Sequence, residues 1–181
     1  GEGTEARIFL ASPLDRSTIE QHFAGLIGTI EELRWNDDSG SVVKQRVSRL
    51  GAITLSEQML EPSGEEAAPV LLEGISRRGL AVLPWTRETT GARNRSEWLR
   101  RNGLVEPDWP DLSDERLRAT LSTWLGPYVW GIVRLEQLRR IDMNSVLRSL
   151  LDERRRRQME QMAPTHMLTP AGSRIALEYG E

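Results

Sequence analysis

At 181 residues, with 38% apolar and 28% charged side chains, the chain is long enough to bury a core and ordinary in composition for a globular protein. A net charge of −3 argues against indiscriminate polyanion binding, and no apolar run approaches the roughly 18 residues of a membrane span. The absence of cysteine excludes disulfides and thiolate metal sites and agrees with a cytoplasmic setting.

The first region reads as β-rich. Ala6–Ser12 is a short apolar run closed by Pro13, the pattern of a buried strand. Asp15 or Ser17 can cap a short helix to about Ile27, with Ile19, Phe23, Leu26 and Ile27 on its inner side. Leu33–Asn36 alternates apolar and polar, Asn36-Asp37-Asp38-Ser39-Gly40 is a turn cluster, and Val42–Leu50 returns. Gly51 marks a bend or bulge before Ala52–Leu55. These elements predict a small antiparallel meander.

From about residue 63 the pattern turns helical. Pro69 suits a first turn, which predicts a helix over about Glu66–Arg78 with Gly79 as a left-handed stop. Thr86 can cap the next helix, ending at Gly103; it is poor in apolar residues (mainly Ala92, Trp98 and Leu99) but carries Arg87, Arg93, Arg95, Arg100 and Arg101. Ser113 can cap a helix over Glu115–Leu125, with Leu117, Leu121, Trp124 and Leu125 on one face and Gly126-Pro127 ending it. Leu135–Arg140, Met143–Leu151 capped by Asp142, and Glu153–Met162 follow; His166–Thr169 and Arg174–Tyr179 then read as a closing hairpin. Trp35, Trp85, Trp98, Trp124 and Trp130 lie in apolar patterns and are expected in the core.

The residue types needed for catalysis do not assemble. Lys44 is the only lysine, so there is no glycine-rich loop ending in Gly-Lys-Ser/Thr to hold nucleotide phosphates. The acidic pairs Glu31-Glu32, Asp37-Asp38 and Glu65-Glu66 sit in strand, turn and helix-start settings that account for them. Trp109-Pro110-Asp111 matches the acid loop of tyrosine phosphatases, but those enzymes require a cysteine nucleophile. His22 and His166, the two histidines, are too few for a histidine-based zinc site.

The run Trp109–Tyr128, WPDLSDERLRATLSTWLGPY, resembles a stretch near the C-terminus of the HrpB-type helicases, a DEAH-type family of bacterial ATP-dependent RNA helicases. Ala6–Asp15, Leu50–Glu57, Leu83-Pro84-Trp85 with Arg93 and Arg95, Ala163-Pro164-Thr165-His166 and Pro170–Ile175 resemble further segments of the family in the same order. Where the family has a second Leu-Pro-Trp, this chain reads Leu151-Asp152-Glu153. Gly1-Glu2-Gly3-Thr4 reads as the interior of a longer protein, and the family sequence is expected to continue past Glu181. The resemblance implies an α+β piece without the motor domains. Residues 1–62 would form an OB-like β segment, with earlier barrel strands upstream. Residues 63–181 would form a helical domain with a terminal β-hairpin. It further implies a non-catalytic accessory role, packing on the helicase's own motor domains and helping to contact single-stranded RNA. ATP and Mg²⁺ would belong to those motor domains, with no cofactor in this piece and no membrane partner.

The candidate RNA-binding residues are Arg93 and Arg95, with Arg154, Arg155, Arg156, Arg157 and His166. Four consecutive arginines wind around a full helical turn and cannot form one stripe. With Arg139, Arg140 and Arg148 they still make residues 134–160 basic, a pattern suited to salt-dependent phosphate contacts. The same run also suits a solvated helix face paired with Asp152, Glu153 and Glu160, and His166 also fits a hydrogen-bonded corner. The alternative function is a protein-interaction module that touches no nucleic acid, which a large apolar patch around Trp109 and Trp130 would favour.

Overall fold

A computed structural model describes residues 16–170 and 172–179. The chain is α+β. Helix α1 (Arg16–His22) and strands β1 (Ile27–Asn36), β2 (Ser41–Leu50) and β3 (Ile53–Leu60) come first, then α2 (Gly64–Arg78), α3 (Arg87–Arg101), α4 (Asp114–Ala119), α5 (Leu121–Trp124), α6 (Met143–Leu150) and α7 (Glu153–Met162). A hairpin of β4 (His166–Leu168) and β5 (Arg174–Ala176) closes the order, and short 3₁₀ turns occupy Ala24–Leu26, Leu80–Val82, Gly126–Tyr128 and Leu135–Arg140. The predicted strand at Ala6–Ser12, the Asp15 cap and the side chain of Ile19 lie outside the described residues. No helix among the described residues is long and apolar enough to cross a membrane.

Two compact units result, Gly1–Glu32 with Lys44–Glu61, and Leu33–Val43 with Pro62–Glu181. The first holds most of a three-stranded sheet of order β1-β2-β3. β2 and β3 pair antiparallel from Lys44↔Leu60 to Leu50↔Ile53, with the register shift between Ser48 and Arg49 rather than at Gly51. Cross-strand charge links β1 to β2: Glu31 accepts from Arg46 at 2.7 Å and pairs with Lys44 at 3.0 Å. Phe23 and Leu26, expected on an inner face, are exposed, because α1 stops at His22 and the chain tightens into a 3₁₀ turn.

The second unit contains the apolar core. α2 begins two residues earlier than Pro69 suggests, because Ser63 and Glu66 form a capping box: Glu66 takes the Ser63 amide at 2.6 Å and returns its own to the Ser63 hydroxyl at 3.4 Å. Pro69 therefore lies inside the helix. Gly79 does end α2, but with φ 88° and ψ 164°, extended rather than left-handed helical. Ala67, Leu71, Gly74 and Ile75 form its buried stripe. The β1–β2 tip packs with this unit. Gly40 O accepts from Leu135 N at 2.9 Å, and Val42 N donates to Val133 O at 2.8 Å.

Two predicted helices are modified. The Ser113-capped helix breaks at Thr120 (φ −112°, ψ 20°), whose hydroxyl bonds back to Arg116 O at 2.8 Å. Its four predicted core residues, Leu117, Leu121, Trp124 and Leu125, are all buried. Leu135–Arg140 is 3₁₀, with the Gln137 side chain taking the amides of Val133 and Arg134 at its start. Among the tryptophans, Trp35 and Trp124 are buried, Trp85 and Trp98 half-buried, and Trp130, expected in the core, is 77% exposed. It sits on a turn with Gly131, where Val129 and Ile132 take the inward positions.

A close contact in this core joins Trp35 to Gly74 of α2. A Cβ at Gly74 would lie under 3.0 Å from three atoms of the Trp35 indole, whose Nε1 is fixed by a 2.8 Å bond to Asp37 Oδ1. Gly74→Ala should therefore destabilise the chain by about 1–3 kcal/mol, the usual range for overpacking, despite alanine's better helix propensity. Chemical denaturation of the variant checks this.

Candidate nucleic-acid interface

Helix α3 carries the buried polar residues Thr89, Arg95, Ser96 and Glu97. Thr86 and Thr89 cap its start reciprocally, at 3.1 and 2.8 Å. Ser96 and Glu97 both bond to the segment before α4. Glu97 accepts the Leu112 amide at 2.6 Å and the Arg100 guanidinium at 2.8 Å. Ser96 Oγ accepts from Trp109 Nε1 at 2.9 Å. These bonds hold the segment that leads into α4, and they place Trp109 in the core.

The two α3 arginines singled out from sequence point different ways. Arg93 donates to Leu112 O at 2.7 Å, pairs with Asp114, and lies 5.4 Å over the Trp85 ring. Arg95 is 7% exposed; it donates to Ala163 O at 3.1 Å and to Glu160 at 2.8 Å. Both therefore tie α3 to other parts of its own unit.

The four arginines of α7 divide as their helical spacing requires. Asp152 caps α7, accepting the Arg155 amide at 2.8 Å. Arg154 reaches Glu106 at 3.4 Å, and Arg155 reaches Asp108 at 2.7 Å and Asp152 at 3.1 Å. Arg156 pairs with Glu153, as does Arg157, at 2.9 Å. His166 is exposed, its Nδ1 3.1 Å from Thr165 Oγ1.

One groove gathers part of this set. Between α3, α6 and α7 lies a cleft of about 470 Å³ with Ala92, Leu147, Leu151 and Met159 as its apolar lining. Arg95, Arg148, Arg156 and Arg157 also line it, with Glu88, Glu153 and Glu160. The Nε atoms of Arg95 and Arg156 are buried without a hydrogen-bond partner among the described residues, as is that of Arg155. His166 lines a separate cleft of about 420 Å³ with Glu160, Pro164, Met167, Leu168 and Arg174. Arg93, Arg154 and Arg155 face neither of these clefts. Arg148 is the groove residue that sequence pattern undervalued: it lies outside the arginine run but two α7 arginines share its cleft. No sequence signal marks Glu97 as buried. Among the described residues, no three His, Asp or Glu side chains gather where a metal could be held.

Electrostatically the region is balanced. Hydrogen bonding from Arg157, with the charge of Arg156, holds the Glu153 carboxyl below its usual range. The Arg155 amide does the same for Asp152, and the Ser145 hydroxyl and Asn144 amide for Asp142. Burial pushes Asp111 up, but Ser113 and Arg100 outweigh it and its pKa is lowered.

Comparison with known proteins follows the same lines. Residues 124–181 match the family described as ATP-dependent helicase C-terminal. More particularly, the chain is 36% identical to the ATP-dependent RNA helicase HrpB of Escherichia coli K12 across 98% of its length, covering 22% of that protein. Two crystal structures of E. coli HrpB share its fold. One, described as a DEAH/RHA helicase, has a TM-score of 0.60 at 36% identity over 86% of this chain and 20% of that one. The other, described as a DExH-box NTPase, has a TM-score of 0.58 at 34% identity over 99% and 22%. Along most of its own length the chain is thus similar to part of HrpB. It spans about a fifth of the length of the relatives it matches.

The lowered carboxylates imply a direction for pH. A folded-state pKa below the unfolded value contributes stability that is fully present above the unfolded value and is lost as pH falls through the folded one. The melting temperature should hold level above about pH 5 and fall as Asp111, Asp142, Asp152 and Glu153 protonate. Glu153→Gln should make that acid fall shallower, which thermal melts across a pH series check.

Proposed function

We propose that the chain is a non-catalytic accessory region of a HrpB-like ATP-dependent RNA helicase. It packs on the motor domains of its own polypeptide and contributes weak contacts to single-stranded RNA. ATP and Mg²⁺ would be held by those motor domains in the cytoplasm. This chain offers no phosphate-binding loop, and its one lysine, Lys44, pairs with Glu31. The division into an OB-like segment, residues 1–62, and a helical domain, residues 63–181, is part of the proposal.

One observation carries the RNA reading: Arg148, Arg156 and Arg157 line one groove, with Arg148 and Arg157 exposed. Arginine offers planar, multidentate donors to phosphate. Three glutamates on the same groove and a net charge of −3 oppose a polyanion, so affinity in isolation is weak. Arg154, Arg155 and His166 would add contacts outside the groove, while Arg93 and the buried Arg95 support RNA binding through the frame they brace. The second reading, a protein-interaction module, draws on the exposed Trp130; the burial of Trp109 leaves it without a shared patch.

Arg148→Ala/Arg157→Ala tests the proposal, because both side chains are exposed. With a labelled oligouridine, anisotropy should show binding that falls steeply with salt. The double variant should bind more weakly, with a slope shallower by about 1.4, given roughly 0.7 per phosphate contact on a single strand. Equal affinity and slope in both proteins would remove the groove from RNA binding, and no binding at low salt would favour the interaction module.

A further inference from the structure

A further cleft opens between α3 and the root of the C-terminal hairpin, with a volume of about 480 Å³, within the roughly 300–1,000 Å³ of ligand pockets. Arg87, Thr90, Gly91 and Asn94 line it from α3, and Glu178 and Tyr179 from the hairpin side. The spacing i, i+3, i+4, i+7 puts the four α3 residues on one face of the helix. The opposite wall is held in place. Leu177 N donates to Thr165 O at 2.9 Å, and Tyr179 donates its hydroxyl to Pro164 O at 2.7 Å. The Tyr179 ring meets Trp98 of α3 edge-on at 5.3 Å.

Gly91 sets this cleft apart from an ordinary gap in packing. It lies inside α3, where glycine weakens a helix relative to alanine. A Cβ there would meet nothing within 4 Å, and the residue's φ is not positive, so neither packing nor backbone conformation calls for glycine. What it leaves is room for a ligand to come close to the helix backbone. The polar side chains beside it are uncommitted. Arg87, Thr90 and Asn94 form no side-chain hydrogen bond or ion pair among the described residues, whereas Arg93, Arg95, Glu97 and Arg100 of the same helix all do. The Asn94 amide is half-buried and keeps both its donors and its acceptor.

We propose, on the premise that the chain contacts single-stranded RNA, that this cleft takes one nucleotide of the strand and reads its ribose. Arg87 binds the phosphate, and Asn94 and Glu178 bind the 2′-hydroxyl. The cleft offers a cation at one place and an acceptor-only carboxylate at another, so its ligand must be anionic at one end and donate hydrogen bonds at the other. A nucleotide does both. The 2′-hydroxyl is donor and acceptor at once and is the group by which a protein tells RNA from DNA. Glu178 would repel a second phosphate, which confines the backbone to the Arg87 side. Arg95 lines both this cleft and the α3–α6–α7 groove, so the two share a wall and one strand can run from the first to the second.

Anisotropy with labelled oligouridine and oligodeoxyuridine at low salt tests it. Wild type should bind the RNA about fivefold more tightly than the DNA, the worth of one hydrogen bond. Asn94→Ala should erase that preference, and Arg87→Ala should weaken both oligomers alike. Gly91→Leu fills the cleft; it should weaken both while melting no lower than wild type, since leucine is the better helix former. Unchanged affinity in Gly91→Leu overturns the proposal. So does equal binding of RNA and DNA by wild type, or a preference that survives Asn94→Ala. Uridine monophosphate binding as tightly as the oligomer would assign the cleft to a free nucleotide and overturn the strand. Weaker RNA binding in Arg148→Ala/Arg157→Ala, with Gly91→Leu silent, sinks the cleft alone. No RNA binding by wild type sinks the RNA reading and the cleft with it.

Discussion

The helical unit depends on one buried carboxylate. Glu97 is buried on α3 and holds the Leu112 amide at 2.6 Å. Buried charge is tolerated only when hydrogen-bonded and paired. Arg100 supplies the opposite charge at 2.8 Å and also reaches Asp111 at 3.3 Å. Through that arrangement a helix of low apolar content becomes a central strut. Ser96 orients Trp109, Arg93 takes Leu112 O, and Arg95 secures the end of α7 at Ala163. The segment that precedes α4 is fixed by polar bonds, and the apolar packing of Leu112, Leu117 and Trp124 then follows.

The same economy shapes the surface. An arginine-rich sequence of slightly negative net charge places much of its positive charge beside carboxylates. On α7 each of the four consecutive arginines has an acidic neighbour within 4.0 Å. Phosphate contacts would compete with these pairs, so a nucleic-acid interface built on them would be weak and salt-sensitive. Exposed ion pairs contribute little to stability, so giving up some of them to a ligand costs the fold little.

Much of this architecture was legible in the sequence where local chemistry dominates. Thr86, Ser113 and Asp142 precede helices and each caps one. The hairpin at His166 and Arg174 follows from its turn residues. Misreadings arose where two local signals compete. Pro69 suggested a helix start, but the Ser63–Glu66 box begins the helix earlier. Thr120 breaks a helix that its apolar spacing continues through. The candidate site was less legible, since an arginine's partner is set by tertiary contacts. Nothing local distinguishes Arg95, buried on Ala163 and Glu160, from the more open Arg100, or signals that Trp130 faces solvent while Trp109 does not.

The polar side chains of α3, Glu97 above all, hold the helical unit together. Thermal unfolding of Glu97→Ala beside Glu97→Gln tests it most directly. Removing the carboxylate strands a buried amide and a guanidinium, a loss of about 2–3 kcal/mol. At about 2–4 °C per kcal/mol for a chain of this size, the melting temperature should fall by about 4–12 °C. Glutamine can still accept the Leu112 amide and should lose less. A melting temperature unchanged within error in the alanine variant would contradict the account.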